Sequence, residues 1–372
     1  MHTPTAEDLL AGIQGWVAIE SKTDEPASIG AMMTRAMADF RTAGLEVEEI
    51  PGRDGRGPHF HARAPWGGDA PGVLVLCHLD TVHPKGTMED NPIRVEGDRA
   101  YGPGIYDMKG GVFLALTAIR TLIEAGQETP LPIRFLVVSD EETGSQTSEE
   151  HIKAAAQNAA HVLVVEPARD GGCCVTSRKG SARMRIATRG VPAHSGGRHQ
   201  DGRSAILEMA RQVQTLSAMT DYDRGLTVNI GMIQGGTAEN TVPEHCSATI
   251  DIRMVSPEDG EAAIAAVRAL QPHDPDVSIE ITGGLNRGPF QKSNSVTALY
   301  EHARALAAEL GFELGDTFSG GGSDGNFTAP IAPTLDGLGV DGDGAHTLNE
   351  HIYVSSLVPR MMLLRRLFET LT

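Results

Sequence analysis

The chain has 372 residues, 40% of them hydrophobic, and a formal net charge of −18. That length exceeds one ordinary core and predicts two domains. The acidic balance argues against nucleic acid and anionic membrane surfaces as partners, and apolar periodicity along the chain separates it from a disordered acidic polymer.

Residues 1–21, MHTPTAEDLLAGIQGWVAIES, carry neither a basic start nor a long apolar core, and no stretch is long enough to span a bilayer. The expectation is a cytoplasmic protein, or a periplasmic one whose signal has been removed. Helices are predicted over 5–20 and 28–43, the second closed by Gly44. Strands follow near 45–50 and 59–64. VLVLCHLDTVHP (73–84) then opens with an apolar run between turn signals, as a strand buried on both faces does. Side chains alternate along a strand, so His78 and Asp80 share a side at its carboxyl end, where open α/β sheets place ligands. Taken alone, the pair also fits a core histidine satisfied by an aspartate.

A helix is predicted over 109–125, with Val112, Phe113, Leu116, Ile119, Leu122 and Ile123 at helical spacing and Gly126 as its stop. IRFLVVS (133–139) and HVLVVE (161–166) read as two more buried strands. The patterning is α/β with a mixed, largely parallel sheet flanked by helices. The middle of the chain differs: strand 182–189, helix 202–219, strands 226–233 and 246–255, helix 257–270 and strand 276–282. That β-α-β-β-α-β order is ferredoxin-like. It reads as an insertion, because a helix near 294–310, a strand near 332–337 and a helix near 354–370 resume the first pattern. The expected domains are 1–180 with 287–372, and 181–286. Cys77, Cys173, Cys174 and Cys246 match no zinc-knuckle spacing and read as reduced thiols, Cys77 in the core.

Charged residues collect where the strands end. His78 and Asp80 follow the first, and YGPGIYDMKGG (101–111) carries Asp107 into a helix. Asp140, Glu141 and Glu142 follow IRFLVVS. Glu166 follows HVLVV, and His346 sits in the glycine-rich GDGAHTLNE loop. Carboxylates this close repel unless cations or protons neutralise them. Mixed imidazole and carboxylate donors suit zinc and neighbouring first-row metals. Five ligands with one shared carboxylate suit two metals about 3.5–4 Å apart. On this reading His78 is a ligand and Asp80 holds its ring.

These motifs together identify a resemblance. HLDTV, YGPGIYDMKGG, SDEETGS, the EP pair, PAHSGG in the insertion and the late histidine resemble the di-zinc exopeptidases. That family includes bacterial glutamate carboxypeptidase, acetylornithine deacetylase, succinyl-diaminopimelate desuccinylase and aminoacylase. SGGGSDG (319–325) and the loop around His346 are most similar to the glutamate carboxypeptidase branch. The resemblance implies two zinc ions per subunit, with cobalt or manganese as alternatives. His78 and Glu166 would hold one ion, Glu142 and His346 the other, and Asp107 would bridge them. Glu141 would be the general base, moving a proton from the metal-bridging water to the leaving amine. A cis peptide is implied after the bridging aspartate, at Asp107–Met108. The inserted domain would be a lid and dimerisation domain. Its His194 would reach a neighbouring subunit's site and stabilise the oxyanion. Asn240 and Arg253 match substrate-binding positions of the family, and Arg287 would serve as a carboxylate clamp. Gly320, Gly321 and Gly322 would let the backbone approach substrate closely.

The implied activity is exo-cleavage of the amide bond to a C-terminal Glu or Asp in small peptides or N-acyl amino acids, by a homodimer joined through the lid. An N-acyl-amino-acid deacylase or a dipeptidase would keep the same core motifs. A dinucleotide-binding protein is disfavoured: after Gly102 and Gly104, Asp107 stands where a third glycine is needed and would repel a pyrophosphate. A catalytically dead relative should have lost a ligand or the base, and all are present. The remaining histidines, among them His59, His83, His151 and His351, read as structural or surface residues.

Overall fold

The computed structural model describes residues 4–372. By contacts the chain divides into two compact units. One holds the chain up to Ser177, Lys292–Ser319 and Ser323–Thr372. The other holds Arg178–Gln291 and Gly320–Gly322. The glycine run expected with the first domain therefore groups with the second unit. A local reason is that the buried Arg178 donates from Nη1 to the Gly321 carbonyl at 3.3 Å.

The first unit is built on a six-stranded sheet. Its order is Glu46–Ile50, His59–Arg63, Ile133–Val138, Gly72–His78, Ala159–Val164, Thr334–Leu335. The first two pairings are antiparallel and the last three parallel. Gly72–His78 is buried at every position, as a strand flanked and covered on both sides must be. The helix Ala6–Val17 starts on a capping box, with Thr5 and Asp8 satisfying each other's main-chain N–H. It buries Leu9, Ile13, Trp16 and Val17, and Trp16 meets Phe113 edge-on at 5.3 Å. Phe113 belongs to the helix Gly110–Glu124, most of which is buried. A Cβ at Gly111 would stand 2.1 Å from the Val165 carbonyl oxygen, so only glycine lets this helix start so close to a strand end.

A second, antiparallel sheet is made of very short strands: Gly342–Asp343, His351–Tyr353, Arg99–Tyr101 and Arg94–Glu96. The sequence pattern predicts none of these, nor the helix Glu149–Gln157, which buries only Ile152 and Ala156. Two- and three-residue strands leave too little alternation to read. The strand expected near 332–337 shrinks to Thr334–Leu335, and the last α-helix, Leu357–Thr370, follows a 3₁₀ turn at Val354–Ser356.

The second unit has four antiparallel strands in the order Thr227–Gly235, His245–Met254, Gly180–Arg189, Ser278–Arg287. This is the ferredoxin-like arrangement. In His245–Met254 the residues Cys246, Ala248, Ile250, Ile252 and Met254 turn inward. They share a core with Met209 and Leu216 of Ala205–Ser217 and with Ala263, Ile264 and Val267 of Pro257–Arg268. All four cysteines are free thiols, and burial raises the Cys77 and Cys174 thiols far above their ordinary range. Among the described residues, no helix is long and apolar enough to cross a membrane.

Candidate metal centre

His78 ends its strand with the ring almost wholly buried. Its Nδ1 donates to the main-chain carbonyl of Asp80 at 3.0 Å. A carbonyl only accepts, so this bond assigns the ring hydrogen to Nδ1 and leaves the Nε2 lone pair open. The sequence pattern assigns that orienting task to the Asp80 carboxylate, which is farther away, at 3.4 Å. The carboxylate instead accepts the main-chain N–H of Glu141 on Oδ1 at 3.3 Å and that of Glu142 on Oδ2 at 3.1 Å. Thr23 Oγ1 donates to Oδ2 at 2.7 Å. Asp80 thus fixes the turn that presents both glutamates.

That turn is closed by Asp140, which is fully buried. Its Oδ2 accepts from the N–H and hydroxyl of Thr147 at 2.6 and 2.8 Å, and its Oδ1 from Ser148 Oγ at 2.6 Å. Glu166 lies two residues beyond Ala159–Val164. These pieces occupy the carboxyl ends of three adjacent strands, the usual ligand position of an open α/β sheet.

Asp107 and His346 arrive differently. Asp107 follows Arg99–Tyr101 through the loop of Gly102 and Gly104, and the Asp107–Met108 peptide is cis. His346 lies in the hairpin between Gly342–Asp343 and His351–Tyr353, at φ 65°. The strand His351–Tyr353 pairs with Arg99–Tyr101, so the small sheet brings the two loops together.

The result is two triads of donor atoms, His78, Asp107, Glu166 and Asp107, Glu142, His346. His78 Nε2 lies 3.2 Å from Asp107 Oδ1 and 3.5 Å from Glu166 Oε1. His346 Nε2 lies 3.1 Å from Glu142 Oε2 and 3.5 Å from Asp107 Oδ2. Asp107 therefore gives one oxygen to each triad. His78 Nε2 and Asp107 Oδ1 are buried and neither makes a hydrogen bond. Buried polar atoms are seldom left so; two that face each other across 3.2 Å fit a shared cation.

The electrostatics agree. Burial raises Glu142 to about 8, against His346 and with the help of Asp107 and Glu141. Burial and the Asp107 charge raise Glu166 to about 7. Burial works against the Asp107 charge, yet His346 and His78 hold its carboxyl well below the usual range. His346 is raised to about 10 by Asp107 and Glu142. Burial disfavours charge on His78, but Asp107, Asp80 and Glu166 raise it well above its ordinary value. Glu142, Glu166 and the two imidazoles hold protons tightly while Asp107 stays ionised between them, because positive charge is what the crowded carboxylates need.

Other candidate residues lie on the second unit. His194 Nδ1 accepts the N–H of Gly196 and of Gly197, each at 3.1 Å. That assigns the ring hydrogen of the neutral form to Nε2, on an exposed side chain. Asn240 is exposed and its carbonyl accepts from Ser195 N–H at 3.0 Å. Arg253, expected as a substrate contact, is gripped by its strand neighbour: Nε and Nη2 reach the two Asp251 oxygens at 2.7 and 3.1 Å. Residues i and i+2 share a strand face, which explains the pair. Arg287 is buried at a register shift near the end of Ser278–Arg287. Sequence reasoning misses Thr23 and Glu350, while His83, read as structural or surface, is buried against Glu350 at 2.6 Å. A Glu four residues after His346 is visible in the sequence, but nothing in the pattern says where it points.

A family model described as peptidase family M20/M25/M40 matches residues 74–370. The chain belongs to this family. M20 proteins are metal-dependent hydrolases, metallopeptidases and amidohydrolases. Carboxypeptidase G2 from Pseudomonas sp. (strain RS-16) is 30% identical over 354 residues, covering 92% of this chain and 81% of that protein. Succinyl-diaminopimelate desuccinylase from Albidiferax ferrireducens is 28% identical over 323 residues, covering 81% of this chain and 80% of its own length. A solved M20 family metallo-carboxypeptidase from Sulfolobus solfataricus shares the fold, with a TM-score of 0.76 at 17% identity over 98% of this chain and 100% of that one.

Proposed function

We propose that this M20 chain is a two-zinc exopeptidase, with cobalt or manganese as alternative metals. It releases a C-terminal Glu or Asp from small peptides or N-acyl amino acids. The observation that carries the reading is the division of Asp107 between two triads, one carboxylate oxygen in each. His78 and Glu166 would hold one ion, Glu142 and His346 the other, with Asp107 common to both. Bound there, the ions would lower the pKa of water and polarise the scissile carbonyl.

The remaining steps belong to the protein. Glu141, adjacent to a ligand in sequence, takes a proton from the attacking water and delivers it to the leaving amine. Asp80 holds the turn that carries Glu141 and Glu142 by accepting both main-chain N–H groups. His194 offers its Nε2 hydrogen to the developing oxyanion. Asn240, Arg287 and the backbone of Gly320–Gly322 receive the substrate, and Arg253 exchanges Asp251 for a substrate carboxylate.

The second unit serves as lid and dimer contact. Supporting this, Ile206 and Leu207 on its helix and Met232 and Ile233 on its edge strand are exposed, Met232 to 67%. Apolar groups along a sheet edge favour pairing with another copy.

Similarity to carboxypeptidase G2 supports carboxypeptidase chemistry. Similarity to the desuccinylases favours a second reading, hydrolysis of an N-acyl group from an amino acid. A matched panel on zinc-loaded protein separates them: benzoyl-Glu, Asp-Asp, Glu-Glu, a neutral dipeptide and N-acetylornithine, each with a chelator control. Chelator-sensitive release of Glu or Asp is expected. Glu- and Asp-terminated substrates cleaved no better than a neutral dipeptide would end the acidic reading, and preferred acetylornithine cleavage would install the deacylase.

A further inference from the structure

Glu350 has no place in the chemistry above, yet its side chain is fully buried beside the site. Its Oε1 accepts the main-chain N–H of Tyr106 and of Asp107 itself, each at 2.9 Å. Its Oε2 accepts the N–H of Gly104 at 2.9 Å and faces His83 Nε2 at 2.6 Å. The Glu350 carbonyl accepts from Gly102 N–H at 3.3 Å. One residue thus takes up donors from the Asp107 loop and from the loop that follows His78 and Asp80. It also sits four positions beyond His346 in the same hairpin.

These donors are not ordinary strand or helix bonds. Gly104, at φ 73°, turns its N–H and those of Tyr106 and Asp107 toward one carboxylate. A carboxylate offers only acceptor sites, so it suits three N–H groups and an imidazole. An amide would answer those donors on one oxygen and set its NH₂ against the others.

We infer that Glu350 is a positioning residue that fixes Asp107 relative to His346, and so sets the spacing of the two metal positions. The inference rests on the two-metal reading. Groups that orient metal ligands tune affinity and geometry without touching the ion. Catalytic geometry is equally sensitive, since a small misplacement of a reacting group costs much of the rate.

The test uses the full chain, wild type against E350Q, with H83A as a second variant. Four quantities are read: thermal midpoint of the metal-free protein, zinc affinity by chelator competition, the visible spectrum of the cobalt-loaded protein, and kcat and KM separately. For E350Q the expectation is a folded protein with both zinc affinity and kcat about 10- to 100-fold lower. KM should change little, and the cobalt bands should shift. H83A, which removes one of the four donors, should show the same changes at a smaller size. If E350Q does not fold, H83A decides alone on the same readouts. Wild-type zinc affinity, cobalt spectrum and kcat in the folded variant, with only the midpoint lowered, would make Glu350 a purely structural group and overturn the inference. A wild-type protein that binds other than two equivalents of zinc would instead sink the two-metal reading, before any variant is compared.

Discussion

Asp80 Oδ2 lies 3.1 Å from the main-chain nitrogen of Glu142. The same carboxylate accepts from Glu141 N–H and Thr23, while its own main-chain carbonyl orients His78. One residue therefore holds a donor of each triad and the proposed base. In D80N the main-chain carbonyl is kept, but an NH₂ group meets N–H donors. Activity should fall about 10- to 100-fold, with weakened zinc binding. Kinetics and chelator competition on the same preparation check this, and wild-type values in both would remove Asp80 from the site's architecture.

Glu141 and Glu142 should separate by function. E141A should bind as many equivalents of zinc as the wild type and lose kcat by about 10²- to 10⁴-fold. Metal analysis after dialysis, alongside single-turnover kinetics, reads both. Loss of an ion from this variant would mean that the base has been misassigned.

His194 presents Nε2 because Gly196 and Gly197 occupy Nδ1. H194A should keep its metal and lose about 10²- to 10³-fold in kcat, as expected for a lost oxyanion donor. Mixing H194A with E141A subunits should recover part of the activity if the histidine serves the neighbouring site. No recovery in verified mixed dimers would place it in its own subunit's site.

Two of the three triad carboxylates carry their protons unusually high, Glu166 to about 7 and Glu142 to about 8. Metal must displace those protons. Below pH 7 protons occupy both glutamates and compete with zinc for them; above pH 8 both are largely ionised. His346, raised to about 10, must also give up a proton. Apparent zinc affinity should therefore climb most steeply below about pH 8 and keep rising more gently toward pH 10, with protons released on binding. Titration calorimetry in buffers of different ionisation heat measures that release, and a pH-independent affinity with none would contradict the site's electrostatics.

Much of the fold and of the metal centre is legible in local sequence pattern. Apolar runs such as VLVLCH and IRFLVVS are dictated by burial on both faces of a sheet, so strand ends and the residues on them follow from that pattern. The alternation in His245–Met254 likewise marks a half-buried sheet. Strand-end position and residue type collect the candidate donors, and the resemblance to the di-zinc exopeptidases divides five of them into two sets sharing Asp107.

What local pattern leaves open lies in contacts between distant segments. Asp107 and His346 meet because strands of two and three residues pair, too short to carry a period. The task of orienting His78 falls to a main-chain carbonyl, which no side-chain pattern records. Arg253 is claimed by Asp251 and Glu350 by three main-chain N–H groups. The sequence by itself determined which residues stand at the strand ends, since burial acts residue by residue. Which atom faces which was left to tertiary structure, because a buried donor or acceptor takes whichever partner the completed fold brings within 3 Å.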